Sequence, residues 1–247
     1  MIPKDFIPPA DLLAKRTILI TGASSGLGRS LAVECARAGA SVILCGRNAA
    51  RLERVYDEIA ALGAPQPALA PLDLATATAV DYDGLAATIG REFGKLDGLV
   101  HAAALLGDRS PIEQYDVPTW CKVLHVNLTA PFILTQVLLP ALRRSLDASV
   151  IFVSSGVVND PRPFWGAYAV SKAGLESVRS MLSQEIGAAN FRVNSVNPGR
   201  MRTPMRAAAY PAEDPATVPA PACVSGAFLY LLSARGRGID GQYFDAQ

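Results

Sequence analysis

Thr17-Ile18-Leu19-Ile20-Thr21-Gly22-Ala23-Ser24-Ser25-Gly26-Leu27-Gly28 is the stretch that decides how the chain is read. Thr17 to Ile20 is a short, continuous apolar run, the length of a buried strand, and it breaks at a glycine-rich turn. Leu27 to Ala38 then carries a helical pattern that stops at Gly39. In such a turn the backbone can come close to a pyrophosphate because side chains do not obstruct it. The helix beyond adds free N–H groups and the positive end of a dipole. Gly22, Ser24, Ser25, Gly26, Leu27 and Gly28 are therefore a candidate anion cradle.

The pattern recurs along the chain. Ser41 to Cys45 reads as a second strand, and Asn48 can cap a helix through Leu62. Ala68 to Leu72 is a third strand, followed by a helix from about Val80 to Phe93, and Leu96 to Ala103 is a fourth strand. A long helical stretch runs from Pro118 to about Leu146, with a kink expected at Pro131. Ser149 to Val153 is a fifth strand, Trp165 to Ile186 a helix, and Phe191 to Val196 a sixth strand. A final helix, about Ala222 to Ala234, and a strand near Ile239 to Phe244 close the chain. Strands that are apolar throughout suit a sheet covered on both faces, and the β-α-β order points to an α/β fold. The expectation is a Rossmann-type, doubly wound, mostly parallel sheet of about seven strands with helices on both faces. One domain is expected over residues 1–247, with 1–14 as an N-terminal extension. Residues from about 201 to 221, rich in Pro and Ala, read as a mobile substrate loop with at most a short helix.

The 23 Lys+Arg against 22 Asp+Glu leave a formal charge of +1, which argues against a nucleic-acid binder or a polybasic membrane anchor. Met1 to Asp11 has no apolar run of the length a signal peptide or membrane span needs, so a cytoplasmic protein is expected. Cys35, Cys45, Cys121 and Cys223 are scattered, and neither His101 nor His125 has a partner at ligand spacing, so no metal site is expected.

In open α/β sheets, ligands bind beyond the carboxyl ends of the strands. The fifth strand ends in Ser154-Ser155, and the helix after it carries Tyr168-Ala169-Val170-Ser171-Lys172. Four residues put the phenol and the ammonium on one helix face. An unperturbed tyrosine, with a pKa of about 10, exchanges protons poorly near neutrality, and a nearby cation favours its phenolate. Lys172 is expected to lower the Tyr168 pKa in this way.

The TGxxxGxG spacing of the turn, and the order and separation of Ser155, Tyr168 and Lys172, resemble the short-chain dehydrogenase/reductase family over nearly the whole chain. The resemblance implies Tyr168 as general acid and base, Ser155 as the hydroxyl that stabilises the reacting oxygen, and Lys172 as a ribose ligand. Asn127, in Val126-Asn127-Leu128, matches the fourth catalytic member, which holds a water connecting the lysine to solvent. The family's NAD-preferring members carry an acid where this chain has Gly46, and many NADP-preferring ones an arginine at the next position, here Arg47. A guanidinium suits a 2′-phosphate, so NADP(H) is expected over NAD(H). The second basic position, within the glycine turn, is occupied by Ser25. Asp73-Leu74 resembles the pair that holds adenine, and Pro198-Gly199 with Thr203 resembles the segment that contacts the nicotinamide carboxamide. The substrate is then a small carbonyl compound or alcohol, and relatives suggest a homodimer or homotetramer. Leu105-Leu106-Gly107, Trp165-Gly166-Ala167-Tyr168 and Phe244-Asp245-Ala246-Gln247 are similar to a bacterial subgroup named only as oxidoreductases.

One departure stands out. Where relatives carry Asn-Asn-Ala-Gly after the fourth strand, this chain has His101-Ala102-Ala103-Ala104, which removes a bracing asparagine and adds bulk beside the cofactor channel. A non-catalytic NADP(H)-binding sensor is one rival reading, though it would be expected to have lost Ser155, Tyr168 or Lys172. An epimerase or dehydratase is another, though those enzymes use a TGxxGxxG turn and a larger C-terminal region. Phe164, Trp165, Met201, Met205 and Tyr210 suggest a partly apolar substrate pocket.

Overall fold

β1 (Thr17–Thr21) is buried at all of its positions, and its side chains divide between two cores. Ile18 and Ile20 face one, Leu19 the other; β2 (Ser41–Gly46) repeats this with Val42 and Leu44 against Ile43 and Cys45. A strand with water on neither face has no polar side to alternate with, which is why its sequence is apolar throughout. The computed structural model describes Ile2 and residues 6–186 and 191–247.

β3 (Ala68–Pro71), β4 (Gly98–His101), β5 (Ala148–Val153), β6 (Phe191–Asn197) and β7 (Tyr243–Asp245) complete a seven-stranded sheet of order β3-β2-β1-β4-β5-β6-β7. Every neighbouring pair is parallel. Helices α1 (Gly26–Arg37), α2 (Ala49–Ala60) and α8 (Ser225–Leu232) fill one core, with Leu31, Leu52 and Phe228 among its members. On the other face α3 (Ala79–Glu92), α5 (Ala130–Arg143) and α6 (Gly166–Ile186) contribute Ile89, Leu138 and Leu175. The expected doubly wound fold is the one observed.

Local details differ from expectation for identifiable reasons. The helix expected over 118–146 is α4 (Val117–Leu124), a π-helical turn over His125–Thr129, and then α5. Pro131 has no N–H to give the Asn127 carbonyl, its α-helical acceptor, and the chain widens just before it. β4 is shorter than the expected 96–103, because Ala102 and Ala103 donate their N–H groups to the Thr21 hydroxyl, each at 3.1 Å, instead of continuing the ladder. The last strand begins only at Tyr243, since the Asn194 side chain takes up the Ile239 carbonyl and the Gln242 N–H ahead of it. Residues 201–221 contain one short helix, α7 (Pro204–Ala209), and a turn of 3-10 helix at Pro215–Thr217.

The amino edge of the sheet is pinned by Asp97. Its buried carboxylate accepts hydrogen bonds from the Thr17 N–H at 2.9 Å, the Lys95 ammonium at 2.8 Å and the Ser145 hydroxyl at 2.6 Å. Burial alone raises its pKa, but these hydrogen bonds together with the Lys95 charge outweigh it and hold the group below the usual carboxylate range. Such a group stabilises the fold at pH above its unfolded value of about 3.9, and that contribution is lost as pH falls through the folded pKa. Asp97→Ala is accordingly expected to cost about 2–3 kcal/mol of unfolding free energy at pH 7. In urea titrations the gap between variant and wild type should narrow steadily below about pH 4.

Candidate active site

At the carboxyl edge β1 has β2 on one side and β4 on the other, and the chain leaves these strands in opposite directions. Such a switch point opens a crevice. Here it is a cleft of about 570 Å³ whose walls include the glycine turn, the ends of β2 and β3, the strand exits of β4 and β5, α6 and α7.

The glycine turn needs its glycines. Gly22 has φ +68°, and a Cβ on it would lie 2.9 Å from the Cα of Ala103; a Cβ on Gly28 would lie 2.7 Å from the carbonyl carbon of Gly22. Two backbone segments therefore touch where side chains would hold them apart, and the N-terminus of α1 reaches the cleft. Ser24, Ser25, Gly26 and Leu27 line it as well. Across the cleft the Cγ2 of Thr203 would meet a Gly26 Cβ at 3.4 Å, so the turn and the segment after β6 face each other.

Arg47 lies at the end of β2 as expected, and Asp73 and Leu74 line the same end of the cleft. The Asp73 carboxylate also accepts the Ala75 N–H at 3.0 Å. Arg51 was not singled out in the sequence, although its spacing of one helical turn from Arg47 was visible. It joins Arg47 on the cleft wall, from the first turn of α2 that Asn48 caps. At the Gly46 position a Cβ would come within 3.7 Å of the Ser24 hydroxyl. Arg47 and Arg51, with the Ser24 hydroxyl nearby and Asp73 as the one acid on the described wall, make a donor set suited to a phosphate monoester.

Ser155, Tyr168 and Lys172 meet on the opposite wall. The Ser155 hydroxyl contacts the Tyr168 phenol and also accepts the Val157 N–H at 3.5 Å. Lys172 is 2% exposed, and its ammonium donates to the Val153 carbonyl at 2.7 Å, 5.8 Å from the Tyr168 ring centre. Burial lowers the Lys172 pKa to about 8, opposed by the charge of Glu176 one turn along α6. The expectation that Lys172 draws the Tyr168 pKa down needs correction. Burial holds the phenol above its ordinary value, and the Ser155 hydrogen bond works against that rise. The hydrogen bond of the ammonium goes to the Val153 carbonyl.

Asn127 is buried in the π-helical turn and does not line the cleft. Its side chain accepts the Leu105 N–H at 2.7 Å and donates to the Leu105 carbonyl at 2.8 Å and the Ser171 hydroxyl at 3.1 Å. It thus ties the loop after β4 to α6. Pro198, Gly199 and Thr203 line the cleft. Gln247, the last residue of the Phe244-Asp245-Ala246-Gln247 ending and one given no role from the sequence, holds the backbone of this segment by donating to the carbonyls of Pro198 at 2.9 Å and Arg200 at 2.8 Å. Trp165, Met201, Met205 and Tyr210 also line it, whereas Phe164 is half exposed outside. Phe164 instead adopts φ +71°, turning the chain so that Trp165 enters the wall.

The bracing role of the missing asparagine is filled differently. The His101 Nε2 pairs with the Thr135 hydroxyl at 2.8 Å, and the ring stacks on Phe152 at 4.9 Å. Burial and the Lys172 charge push His101 down to about 3, so it stays neutral and acts as a strut between β4 and α5. Ala102, Ala103 and Ala104 form part of the cleft wall.

This arrangement has a match among known proteins: the family model for short chain dehydrogenases covers residues 16–214. The chain belongs to that family. It is 43% identical over 240 residues to the uncharacterized oxidoreductase YciK of Escherichia coli (strain K12), a match covering 97% of this chain and 95% of that one. A Shigella flexneri 2a (str. 301) structure assigned to the short chain dehydrogenases and complexed with NADP superposes with a TM-score of 0.94 at 43% identity, covering 97% of this chain and 100% of the other. An Escherichia coli CFT073 structure of the same assignment, complexed with NADPH, gives a TM-score of 0.95 at 44% identity with the same coverage.

The Lys172 pKa leads to a measurable consequence. A lysine whose folded pKa lies below its unfolded value carries its full burial cost at pH below about 8, and the cost is relieved as pH rises from there toward the unfolded value of about 10.4. Wild-type unfolding free energy should therefore rise over that window relative to Lys172→Met; parallel pH profiles for the two proteins would contradict the assignment.

Proposed function

We propose that the protein is an NADP(H)-dependent oxidoreductase that interconverts a small carbonyl compound and its alcohol. The observation that carries this reading is the convergence of Ser155, Tyr168 and Lys172 on one wall of a cleft whose far end presents the glycine turn with Arg47 and Arg51. NADPH, when bound, supplies the hydride. The structures similar to this chain that hold NADP and NADPH support that choice of cofactor.

In this reading the N–H groups at the start of α1 and the turn through Gly22, Gly26 and Gly28 hold the pyrophosphate. Arg47, with Arg51 and the Ser24 hydroxyl, holds the 2′-phosphate, and Asp73 and Leu74 flank the adenine. Pro198, Gly199 and Thr203 hold the carboxamide end, and Lys172 binds the ribose. The Tyr168 phenol, protonated at neutral pH because burial raises its pKa, donates its proton to the carbonyl oxygen of the substrate. Ser155 donates a hydrogen bond to the same oxygen and stabilises its developing charge. Asn127 contributes a main-chain carbonyl that Pro131 cannot occupy with an N–H, available to a water on the path from Lys172 to solvent.

The chain acts as one unit, with residues 1–14 as an extension and about 201–221 as the substrate loop. Exposed Val117 and Phe132 on α4 and α5, and Val170 and Met181 on α6, support a homodimer or homotetramer built on those helices. The reading places it in the cytoplasm, without membrane or nucleic acid.

Two variants test the assignment. With an aldehyde and ketone panel followed by NADPH absorbance, Tyr168→Phe should lower turnover by about 10²–10⁴-fold while NADPH binding persists; undiminished turnover would remove Tyr168 from its role. Replacing Arg47 and Arg51 together by Met should raise the KM for NADPH by about tenfold or more and leave that for NADH near its wild-type value.

A further inference from the structure

Three arginines surround the Tyr210 ring at the rim of the cleft. The Arg206 guanidinium carbon stacks 3.7 Å from its centre, that of Arg109 stands 5.1 Å away, and Arg162 reaches its hydroxyl. Two of the three carry their own acid. Arg206 forks onto Glu213 at 2.6 and 2.7 Å, and Arg162 pairs with Asp160 at 2.8 Å. Arg109, among the described residues, has no carboxylate within ion-pair distance. It is nevertheless fixed in place, donating to the Ala209 carbonyl and lying 4.7 Å over the Trp165 ring. One of its five N–H groups is used there, and the others remain available.

That cation is exposed and lies just outside the cleft wall, over Trp165 and Tyr210, which line it. The Trp165 ring packs 5.7 Å from the Tyr168 ring, so the guanidinium is one aromatic side chain away from the phenol. Apolar groups pack around these rings, Leu106, Met205 and Ala209 among them, and these three line the cleft together with Trp165 and Tyr210. Asp73 is the one acid on the described cleft wall, and it lies at the far end beside the β3 exit. A substrate seated against Tyr168 and extending past Trp165 and Tyr210 toward the mouth of the cleft meets apolar surface and then a positive charge whose planar fork matches a carboxylate.

We propose that the substrate of this cleft carries a carboxylate about one six-membered ring away from its reacting carbonyl, and that Arg109 binds it. The inference rests on the reading of Tyr168 as the proton donor. The competing account of Arg109 is a strap that joins the loop after β4 to α7 without touching substrate. The two differ in whether the charge of the ligand matters.

The test compares 4-formylbenzoate with its methyl ester in wild type, Arg109→Met and Arg109→Lys. With NADPH, wild type should favour the acid in kcat/KM by about tenfold or more, Arg109→Met should bring the acid-to-ester ratio near one, and Arg109→Lys should recover part of it. An ester used as well as the acid by wild type, or a preference that survives in Arg109→Met, overturns the inference and leaves the strap. Calorimetric titration of NADP+-loaded protein with 4-formylbenzoate separates this from the proposed function. Binding that weakens about tenfold in Arg109→Met supports the carboxylate site even where neither aldehyde is reduced, a result that would count against the reaction alone. Absent binding to wild type, or equal binding to wild type and Arg109→Met, overturns it.

Discussion

Backbone-to-backbone contact at Gly22 and Gly28 is the constraint on which the rest of the cleft depends. With φ +68° at Gly22 and the Ala103 backbone immediately beside it, the turn after β1 nests against the exit of β4. The Thr21 hydroxyl, accepting the N–H groups of Ala102 and Ala103, locks that nesting from within the sheet. A methyl group at either glycine would push the two exits apart or close the turn upon itself. The helix terminus would then no longer point into the crevice, and the wall carrying Ser155 and Tyr168 would face a different floor.

On that opposite wall the governing effect is removal of water. Tyr168 and Lys172 are both buried, and burial favours the neutral form of each, raising one pKa and lowering the other. What keeps Lys172 from falling further is Glu176 below it, itself held by Arg179 at 2.9 Å and by the Ser195 hydroxyl at 2.8 Å. The sequence places Glu176 four residues beyond Lys172, but only the fold shows that both point into one buried column. The same logic makes His101 a strut: an imidazole beside a buried ammonium stays neutral and can serve as a hydrogen-bonding, stacking side chain.

Periodicity and punctuation made the seven strands and the main helices legible, because burial on both faces writes itself into every residue of β1, β2 and β5. Elements whose ends are set by partners far away in the chain were not legible. β4 stops early because the Thr21 hydroxyl accepts the next two N–H groups, and β7 starts late because the Asn194 side chain donates to the Ile239 carbonyl and accepts the Gln242 N–H before it. The π-helical turn could be sensed only as a kink at Pro131. In the site, Ser155, Tyr168, Lys172 and the glycine turn could be singled out by short spacing rules and lie on one cleft, while Arg51, Gln247 and Arg109 were given no place in it from the sequence. Arg51 lies only one helical turn from Arg47, but Gln247 and Arg109 owe their places to neighbours far away in the chain or to a loop path such as the left-handed turn at Phe164 that no pattern announces.

Charge illustrates the same limit from another side. A formal net charge of +1 excludes a broad cationic footprint, yet it says nothing about where the charges stand. Most of the acids are taken up by ion pairs: Glu58 pairs with Arg29, Asp147 gathers Arg16, Arg192 and Arg237, and Glu213 and Asp160 neutralise two of the three arginines around Tyr210, leaving Asp73 as the one acid on the described cleft wall. Arg47, Arg51, Lys172 and Arg200 line the crevice without an ion-pair partner among the described residues, and Arg109 stands over Trp165 and Tyr210 at its mouth. A fixed cation stacked on aromatic rings gains less from water than a mobile one, so it interacts strongly with an anion that reaches it. A nearly neutral protein can in this way present an elongated site that is positive at both ends, and a ligand long enough to bridge them is favoured by its charge before its shape is tested.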